Sequence, residues 1–418
     1  MRKMLRPAIA SAPLLATPDA EADQEIVAQK IVAQSDQLLP PAIVFGCRKP
    51  GWGIIRALGQ AGVPVIGAYY EKADIGCASR YLVEALQCPH PEFSNDEFRT
   101  FVTGLTARFP EAVLVPSDDT SLLALSRMQR TENPRLRVAA PDFRVVEQCV
   151  EKDRTYQLAG KIGVRVPRTA TVRTLEEALA EATATGFPCL LKPAIGHRFY
   201  RMLGVKMYRV ESAAALEELW SRIADIDDDM LIQEYIPGGD DHGVNYNALF
   251  NAGEPCVEIT AAKRRLSPRG IGFPTVVAND YVPEIIEPAR KLLAALGYHG
   301  FANVEFKRDA RTGEYVLMEI NARLNLSLLL SVISGVNFAV MLYRQRLGKS
   351  IGDWSQADPY GRRLYYIDTW LDCREALRDI RSGTFSVKEF LTPYFSRHVS
   401  GVFCFSDPLP FFKRMFLR

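Results

Sequence analysis

Short apolar segments alternate with stretches of helical character between residues 42 and 141, and this alternation constrains the fold more than any other feature of the chain. The apolar segments span residues 42–46, 63–70, 112–117 and 137–141. Strands of this length, separated by helices, predict a parallel sheet with helices on both faces. We therefore expect an α/β domain over residues 39–141, after a disordered or loosely helical tail over residues 1–38.

In a parallel sheet of this kind, a ligand pocket is expected at the carboxyl ends of the strands. The turn at residues 46–53 contains the sequence GWG, but Arg56 stands where a dinucleotide fingerprint needs its third glycine. We interpret the turn as a tight connection from strand to helix. Ser117, Asp118 and Asp119 follow another apolar strand and are candidate contacts for a small substrate, although Asp119 could equally cap the next helix.

Two lysines in the next part of the chain lie where an anion is a natural partner. Lys152 begins a predicted helix, and Lys192 lies inside the apolar strand CLLKPA. A lysine in such a strand is costly to bury unless it contacts an anion or extends to the surface. The following loop, residues 193–204, carries His197, Arg198 and Arg201 between glycines. A loop of this kind either closes over a polyanion or is a solvated surface loop.

A strand edge follows near residue 234. The strand MLIQEYI ends at a Pro-Gly-Gly turn, and a strand that leaves its sheet offers the free backbone N–H and C=O groups that an adenine ring needs. The side chains along this edge are Gln233, Glu234, Tyr235 and Ile236. Asp240 or Asp241, beyond the turn, could accept hydrogen bonds from ribose hydroxyls.

Residues 303–323 read as two strands joined by a polar turn at residues 309–313. Cross-strand partners then share parity, and one face carries Asn303, Glu305, Lys307, Glu319, Asn321 and Arg323. Two neighbouring carboxylates repel each other unless a cation lies between them, and Mg²⁺ is the natural candidate because it binds carboxylates together with phosphate oxygens. The alternative is a solvated polar face on which the cations balance the carboxylates.

Composition excludes several classes of protein. The 418 residues include 51 Lys plus Arg against 49 Asp plus Glu, so the basic stripe of a nucleic-acid-binding protein is not expected. The eight cysteines are scattered, without a CxxC pair or zinc-type spacing. This pattern favours buried thiols in a reducing compartment.

Three segments of the sequence have features that could favour membrane contact. Residues 324–343 carry no charge over a length that could span a bilayer, but their polar side chains favour a buried helix broken near Gly335. The basic and apolar start of the chain is interrupted by prolines, which favours a tail over a signal peptide. The apolar and basic segment 410–418 is expected to pack as a terminal helix, with at most peripheral membrane contact. We expect a cytoplasmic protein.

The order of these features resembles the ATP-grasp superfamily, in particular its carboxylate–amine ligase branch, which includes D-aspartate ligase-like enzymes. The resemblance covers about residues 40–345 and continues through the sequence SDPLPFF near the end. It implies an N-terminal pre-ATP-grasp domain followed by an ATP-grasp domain over residues 142–345. Within that domain it implies a small lid subdomain (about 155–236) and a large metal-binding subdomain (about 237–345). Residues 346–418 would form a C-terminal extension packed on it.

The resemblance also implies roles for individual residues. Lys152 and Lys192 would hold the α- and β-phosphates of ATP. Glu234 would recognise the adenine amino group beside Gln233, with backbone contacts from Tyr235 and Ile236. Asp241 would bind ribose, with Asp240 as a close alternative.

The metal and catalytic roles fall on later residues. Glu305 and Glu319 would be the carboxylates for Mg²⁺, with Mn²⁺ as a substitute, and Asn321 would supply an amide oxygen. Arg323 would stabilise the transferred phosphoryl group, with Lys263 or Arg265 near the γ-phosphate. The loop HRFYRMLG has larger side chains than the family's lid, which leaves the phosphate contacts of His197 and Arg198 open.

The implied reaction activates a carboxylate as an acylphosphate and joins it to an amine, with release of ADP and phosphate. Its partners would be small carboxylates and amines, with no nucleic acid, and a homodimer is compatible with this reading. The alternatives are an ATP-grasp phosphotransferase or carboxylase, a non-catalytic ATP-binding regulatory protein, and an oxidoreductase that uses the GWG turn. The intact metal-ligand residues argue against the regulatory protein, and the oxidoreductase leaves the carboxylate hairpin unexplained.

Overall fold

The computed structural model describes residues 39–193, 207–223, 229–270, 272–352, 354 and 357–416. The chain divides into a unit of residues 1–40 and a unit of residues 41–418, and every element below belongs to the second. The predicted tail at residues 1–38 lies outside the described residues, as do the cationic side chains predicted in the loop after Lys192.

The first sheet is parallel, as the alternation of strands and helices predicted. Its strands are β1 (Ala42–Phe45), β2 (Val65–Tyr69), β3 (Leu82–Gln87), β4 (Val113–Pro116) and β5 (Arg137–Val138), in the order β3-β2-β1-β4-β5. Every residue of β1 and β4 is buried, which indicates that both faces of the sheet are covered. β3 was not predicted. It is an edge strand, and its half-buried residues alternate with exposed ones.

The helices of this region are α1 (Lys49–Gly59), α2 (Asn95–Arg108), α3 (Asp119–Thr131) and α4 (Phe143–Val150). The GWG turn is the start of α1, which confirms the interpretation of a tight connection from strand to helix. A Cβ atom at Gly51 would collide with the carbonyl oxygen of Gly46, so the helix can begin this close to β1 only with glycine there.

A four-stranded antiparallel sheet follows. It contains β6 (Thr169–Val172), β7 (Cys189–Pro193), β8 (Tyr208–Val210) and β9 (Met230–Glu234), in the order β6-β9-β7-β8. The accompanying helices are α5 (Lys152–Lys161), α6 (Leu175–Thr185) and α7 (Ala213–Ile223). Cys189, Leu191 and Ile232 pack with residues of α6 and α7 in one apolar cluster. Because side chains alternate along a strand, Lys192 and Gln233 face the other side of the sheet.

The largest sheet has seven strands in the order β14-β13-β10-β11-β12-β15-β16. Its strands are β10 (Gly243–Asn251), β11 (Glu254–Ser267), β12 (Phe273–Ala278), β13 (Gly300–Arg308), β14 (Tyr315–Asn321), β15 (Tyr365–Ile367) and β16 (His398–Ser400). All neighbouring strands are antiparallel except the pair β15–β16. The C-terminal part of the chain therefore adds two strands to this sheet, beyond the surface packing that was expected.

The remaining helices are α8 (Ile286–Ala295), α9 (Leu328–Ile333), α10 (Phe338–Arg346), α11 (Thr369–Arg381), α12 (Val387–Phe395) and α13 (Leu409–Phe416). The uncharged segment near residue 335 forms two short helices, α9 and α10. Gly335 lies between them with a φ of +91°, which confirms the predicted break. Within the described ranges, no helix combines the length and apolarity needed to cross a bilayer. All eight cysteines are free thiols.

Candidate active site

The two hairpin carboxylates lie directly opposite each other. Glu305 on β13 pairs with Glu319 on β14, and Asn303 pairs with Asn321 two positions away. A bulge follows Glu305, so Lys307 pairs with Val316. The predicted shared parity therefore holds for Asn303, Glu305, Glu319 and Asn321, but it fails beyond the bulge, where Lys307 and Val316 differ in parity. Arg323 lies beyond the end of β14 and is not part of the strand face.

Each carboxylate has a lysine partner. Lys152, the first residue of α5, places its Nζ 3.1 Å from Oε2 of Glu319, and Nζ of Lys263 donates to Oε2 of Glu305. The charge of Lys152 lowers the pKa of Glu319 and outweighs the opposing effect of burial. Burial by itself would lower the pKa of Lys263, but Glu305 raises it above its usual value. The charge of Lys152 thus favours the ionised form of Glu319, which is the form that a divalent cation binds.

Lys192 lies near this pair, and among the described residues its partner is a neutral amide. Its side chain is 6% exposed, and its Nζ donates to Oε1 of Gln233 at 2.8 Å. The amide nitrogen of Gln233 donates to Thr169 and Tyr156. Burial, followed by the positive charge of Lys152, lowers the pKa of Lys192 to about 7. Two cations that interact at the edge of a buried site form a natural position for an anion.

The predicted adenine-binding edge is occupied by protein contacts. Glu234 accepts a hydrogen bond at 2.6 Å from Arg311 in the hairpin turn. The ring of Tyr235 lies between Arg209 and Lys307, at 4.4 and 5.3 Å from its centroid. Gln233 and Ile236 are buried, whereas Glu234 and Tyr235 are half-buried.

The two aspartates after the Pro-Gly-Gly turn have different environments. Asp240 accepts hydrogen bonds from the backbone N–H groups of Leu266 and Gly270, and it pairs with Arg269. Asp241, in the same 3₁₀ turn, is exposed. Asp240 is therefore engaged in holding the end of β11, whereas Asp241 faces solvent.

Arg323 connects this site to the parallel sheet. Its guanidinium donates to both carboxylate oxygens of Asp119, at 2.7 and 3.2 Å. Burial would lower the pKa of Arg323, but Asp119 raises it. Asp118 is the N-cap of α3 and Asp119 is the first helical residue, so the suggestion that Asp119 caps the helix is wrong. Ser117 is buried and donates to the Gly46 carbonyl, which leaves Asp119 as the residue that reaches the site.

Arg265 does not lie with Lys263 beside the carboxylates of the candidate site. A bulge in β11 lies between the two residues, so Arg265 faces the opposite side of the sheet. Its side chain is buried, with its guanidinium 3.2 Å from a carboxylate oxygen of Asp372 and close to the rings of Phe385 and Phe390. The expectation that Arg265 lies near the γ-phosphate therefore disagrees with this placement, because the bulge reverses the alternation on which it depended.

The donor atoms around the carboxylate pair suit a hard cation. Glu305 and Glu319 supply charged oxygens, and Asn321 lies between them with its amide nitrogen 3.5 and 3.2 Å from those carboxylates. Oδ1 of Asn245, opposite Glu305, is buried and has no hydrogen-bond partner among the described residues. Among the described residues, no group of three or more His, Cys, Asp or Glu side chains is arranged to hold a metal ion, so amide oxygens would have to complete the ligand set. Two carboxylates and amide oxygens therefore fit Mg²⁺, which leaves coordination positions for phosphate.

Sequence reasoning missed the asparagines of β10. Asn245 and Asn247 alternate with apolar residues in the segment VNYNALF, and both side chains are buried on the face of the carboxylates. Two polar residues at alternate positions of an otherwise apolar strand indicate a polar face, and this pattern could have identified them from the sequence.

Comparison with known proteins identifies the fold. Residues 227–366 match the family model described as "ATP-grasp in the biosynthetic pathway with Ter operon". The solved structure of L-amino acid ligase from Bacillus licheniformis superposes with a TM-score of 0.62 at 18% identity, covering 78% of this chain and 79% of that one. This is an ATP-grasp fold. Biotin carboxylase from Campylobacter jejuni shares the ATP-grasp fold with a TM-score of 0.61 at 17% identity, over 76% and 73% of the two chains.

Curated relatives point to the same superfamily. D-aspartate ligase from Enterococcus faecium is 27% identical over 226 residues, which are 49% of this chain and 52% of the relative. D-alanine–D-alanine ligase from Ectopseudomonas mendocina is 26% identical over 183 residues, 41% of this chain and 55% of the relative. The chain thus spans about half the length of these relatives. The resemblance to the ATP-grasp superfamily inferred from the sequence is confirmed.

Proposed function

We propose that the chain is an ATP-dependent carboxylate–amine ligase, an enzyme that forms a carbon–nitrogen bond. The observation that carries the proposal is the pair Glu305 and Glu319, opposite each other and flanked by Lys263 and Lys152. Two carboxylates with lysines on either side suit a divalent cation and a polyphosphate. The similarity to D-aspartate ligase and D-alanine–D-alanine ligase supports this reaction class.

The proposed reaction has two steps. An oxygen of the donor carboxylate attacks the γ-phosphorus of ATP, the bond to the β–γ bridging oxygen breaks, and ADP leaves. The amine nitrogen then attacks the carbonyl carbon of the acylphosphate, the bond from that carbon to the phosphate oxygen breaks, and the nitrogen loses a proton. Neither step requires a covalent bond to the protein, so the chain acts by positioning and by neutralising charge.

Different site residues would position the substrates and neutralise their charge. Lys152 and Lys192 would bind the α- and β-phosphates, and Lys263 would lie near the γ-phosphate. Arg323, once released from Asp119, would bind the transferred phosphoryl group. The backbone of residues 235–236 would bind adenine, and Asp241 would bind ribose. Glu305, Glu319 and Asn321 would hold Mg²⁺ or Mn²⁺, and the ion would supply Lewis-acid stabilisation of phosphate charge.

The domain division stays part of the proposal. We infer a pre-ATP-grasp domain at residues 39–141, an ATP-grasp domain at 142–345 with subdomains at about 155–236 and 237–345, and a C-terminal extension at 346–418. Small carboxylate and amine substrates follow from the ligase assignment. The cytoplasmic location and the homodimer stay predictions.

The experiment is a screen of ADP release with Mg²⁺ and ATP, over amino-acid and hydroxy-acid carboxylates crossed with amines, with product masses recorded. We expect an amide product together with ADP. ADP with a phosphorylated or carboxylated product and no amide would favour the phosphotransferase or carboxylase alternative. No nucleotide turnover over the whole panel would contradict the proposal.

Glu319→Gln is the matching variant. It removes one charge from the carboxylate pair, so we expect Mg²⁺-dependent ADP formation to fall about 100-fold or more while the protein stays folded. Glu314→Gln is the control, because Glu314 is an exposed residue of the hairpin turn that pairs with Arg165. Normal turnover by the Glu319 variant would remove the hairpin from the mechanism.

A further inference from the structure

Four asparagine side chains form a continuous chain that ends at the carboxylate pair. Asn247 on β10, Asn303 on β13 and Asn321 on β14 are direct neighbours across three adjacent strands. Asn325, before α9, contacts Asn247 from the other side. Asn303 is fully buried, and Asn247 and Asn325 are 5% and 9% exposed. Buried amides in such a series satisfy one another, because bulk water does not reach them.

In the hydrogen bonds that link these four asparagines, the donor and the acceptor of each pair are defined. The amide nitrogen of Asn321 donates to Oδ1 of Asn303 at 3.1 Å, and the nitrogen of Asn303 donates to Oδ1 of Asn247 at 3.0 Å. The nitrogen of Asn325 also donates to Oδ1 of Asn247, at 2.8 Å. With this direction, Asn321 turns its nitrogen toward the two carboxylates.

A cation between those carboxylates requires the opposite orientation of Asn321, because an amide binds a cation through its oxygen. If Asn321 turned by itself, its oxygen would face the oxygen of Asn303. Asn303 must therefore turn as well, which brings its oxygen against that of Asn247, and the same argument then applies to Asn247 and Asn325. A buried pair of facing acceptors, or of facing donors once Asn247 turns its nitrogen toward that of Asn325, is unfavourable at each intermediate stage.

When all four amides turn together, the hydrogen bonds are restored. The two N–H bonds of Asn247 then donate to Asn303 and Asn325, and Asn303 donates to Asn321. At the far end, the nitrogen of Asn325 loses its partner. Asn247 and Asn325 both line a cavity of about 10 Å³, which is the size of one water molecule. A water there can accept the hydrogen bond released by Asn325.

We propose that Asn303, Asn247 and Asn325 are positioning residues that set the orientation of Asn321, and that binding of a divalent cation reverses the direction of the whole amide chain. The inference rests on the proposed function, because it takes Glu305, Glu319 and Asn321 as the cation site. It adds a consequence, since cation binding then changes the hydrogen bonding of the segment that begins at Asn325 and leads into α9.

The test uses one chemical change at two positions. An ionised aspartate only accepts hydrogen bonds. Asn247→Asp keeps both bonds of the present direction and blocks reversal, so the affinity for Mg²⁺ should fall about 10–100-fold. Asn325→Asp requires a donor from Asn247 and so favours the reversed direction, which should strengthen Mg²⁺ binding. Both variants add one negative charge, and electrostatic attraction by itself would strengthen binding in both.

The measurement is a calorimetric titration of Mg²⁺ into the full chain saturated with ADP at pH 8, with circular dichroism to confirm folding. Opposite shifts in the two variants support the proposal. Stronger binding in both, or no change in either, overturns it. If the Asn247 variant does not fold, Asn303→Asp replaces it, because an aspartate there holds the nitrogen of Asn321 and should also weaken binding. Absence of Mg²⁺-dependent ADP binding in the unmodified chain would instead overturn the proposed function.

Discussion

At the scale of single residues, Lys192 is the clearest case of a side chain whose chemistry is set by its surroundings. It lies in an apolar strand, it donates a hydrogen bond to the neutral amide of Gln233, and it is repelled by Lys152. Burial first, and Lys152 second, lower its pKa from 10.5 to about 7. Between these two pH values the folded chain holds less of this proton than the unfolded chain does. The unfavourable effect of the buried charge on stability is therefore full below pH 7 and declines as the pH rises from 7 to 10.5.

We predict that nucleotide binding is coupled to proton uptake at Lys192. Bound phosphates favour the charged amine and raise its pKa, so binding at pH 8 should take up about one proton, whereas binding at pH 6 should take up little. Calorimetry of ADP binding in buffers with different ionisation enthalpies measures the uptake. It should be lost in Lys192→Gln and kept in Lys349→Gln, which alters an exposed lysine. Equal proton uptake in both variants would contradict the prediction.

At the scale of elements, the 3₁₀ turn Asp240–His242 places its two aspartates in different environments, which the sequence did not distinguish. Asp240 holds the backbone of Leu266 and Gly270 at the end of β11, while Asp241 is exposed. The turn thus uses one carboxylate to position the strand and leaves the other available for a ligand.

We predict that substitutions at the two aspartates have different consequences. Asp241→Asn should weaken ADP binding about tenfold, because a charged acceptor for ribose hydroxyls is lost, with little change in the melting temperature. Asp240→Asn should lower the melting temperature, because it replaces one acceptor oxygen with a donor that faces N–H groups. Calorimetric binding and thermal unfolding of both variants provide the comparison. The reverse pattern would assign the ribose contact to Asp240.

At the scale of the whole molecule, the C-terminal segment is bound to both large sheets. β15 and β16 extend the seven-stranded sheet, and Lys49 of α1 pairs with the buried Asp368 at 2.6 Å. Asp407 is fully buried and accepts hydrogen bonds from the Trp52 indole, the Ser79 hydroxyl and the Arg80 backbone. The sequence SDPLPFF is therefore a structural contact with the first sheet region.

We predict that Asp407→Ala destabilises the chain by about 3 kcal/mol, because it leaves three donors without their acceptor, of which the indole and the hydroxyl belong to buried residues. The expected result is a lower midpoint of thermal unfolding with an early change in the fluorescence of Trp52. Ser406→Ala, at the exposed neighbouring position, should have a small effect. An unchanged midpoint in the Asp407 variant would show that these contacts do not hold the C-terminal segment.

Local patterns predicted much of this fold and part of the candidate site. The alternation of strands and helices predicted the parallel sheet, and the two strands of the hairpin predicted that Glu305 and Glu319 share a face. These features depend on steric preferences and on side-chain periodicity within a few residues of each other. The bulge in β11 shows where such reasoning ends, because a single extra residue moved Arg265 to the other face from Lys263.

What the sequence determined by itself was many of the strands and helices before residue 346 and the shared face of Glu305 and Glu319. Only the tertiary structure decided the partners of the site residues: Lys152 with Glu319, Arg323 with Asp119, and Asn303 between Asn247 and Asn321. The two residues of the first pair are 167 positions apart and those of the second are 204 apart. Partners at such separations are set by sheet order, register and the packing of whole elements, and no local periodicity encodes these properties.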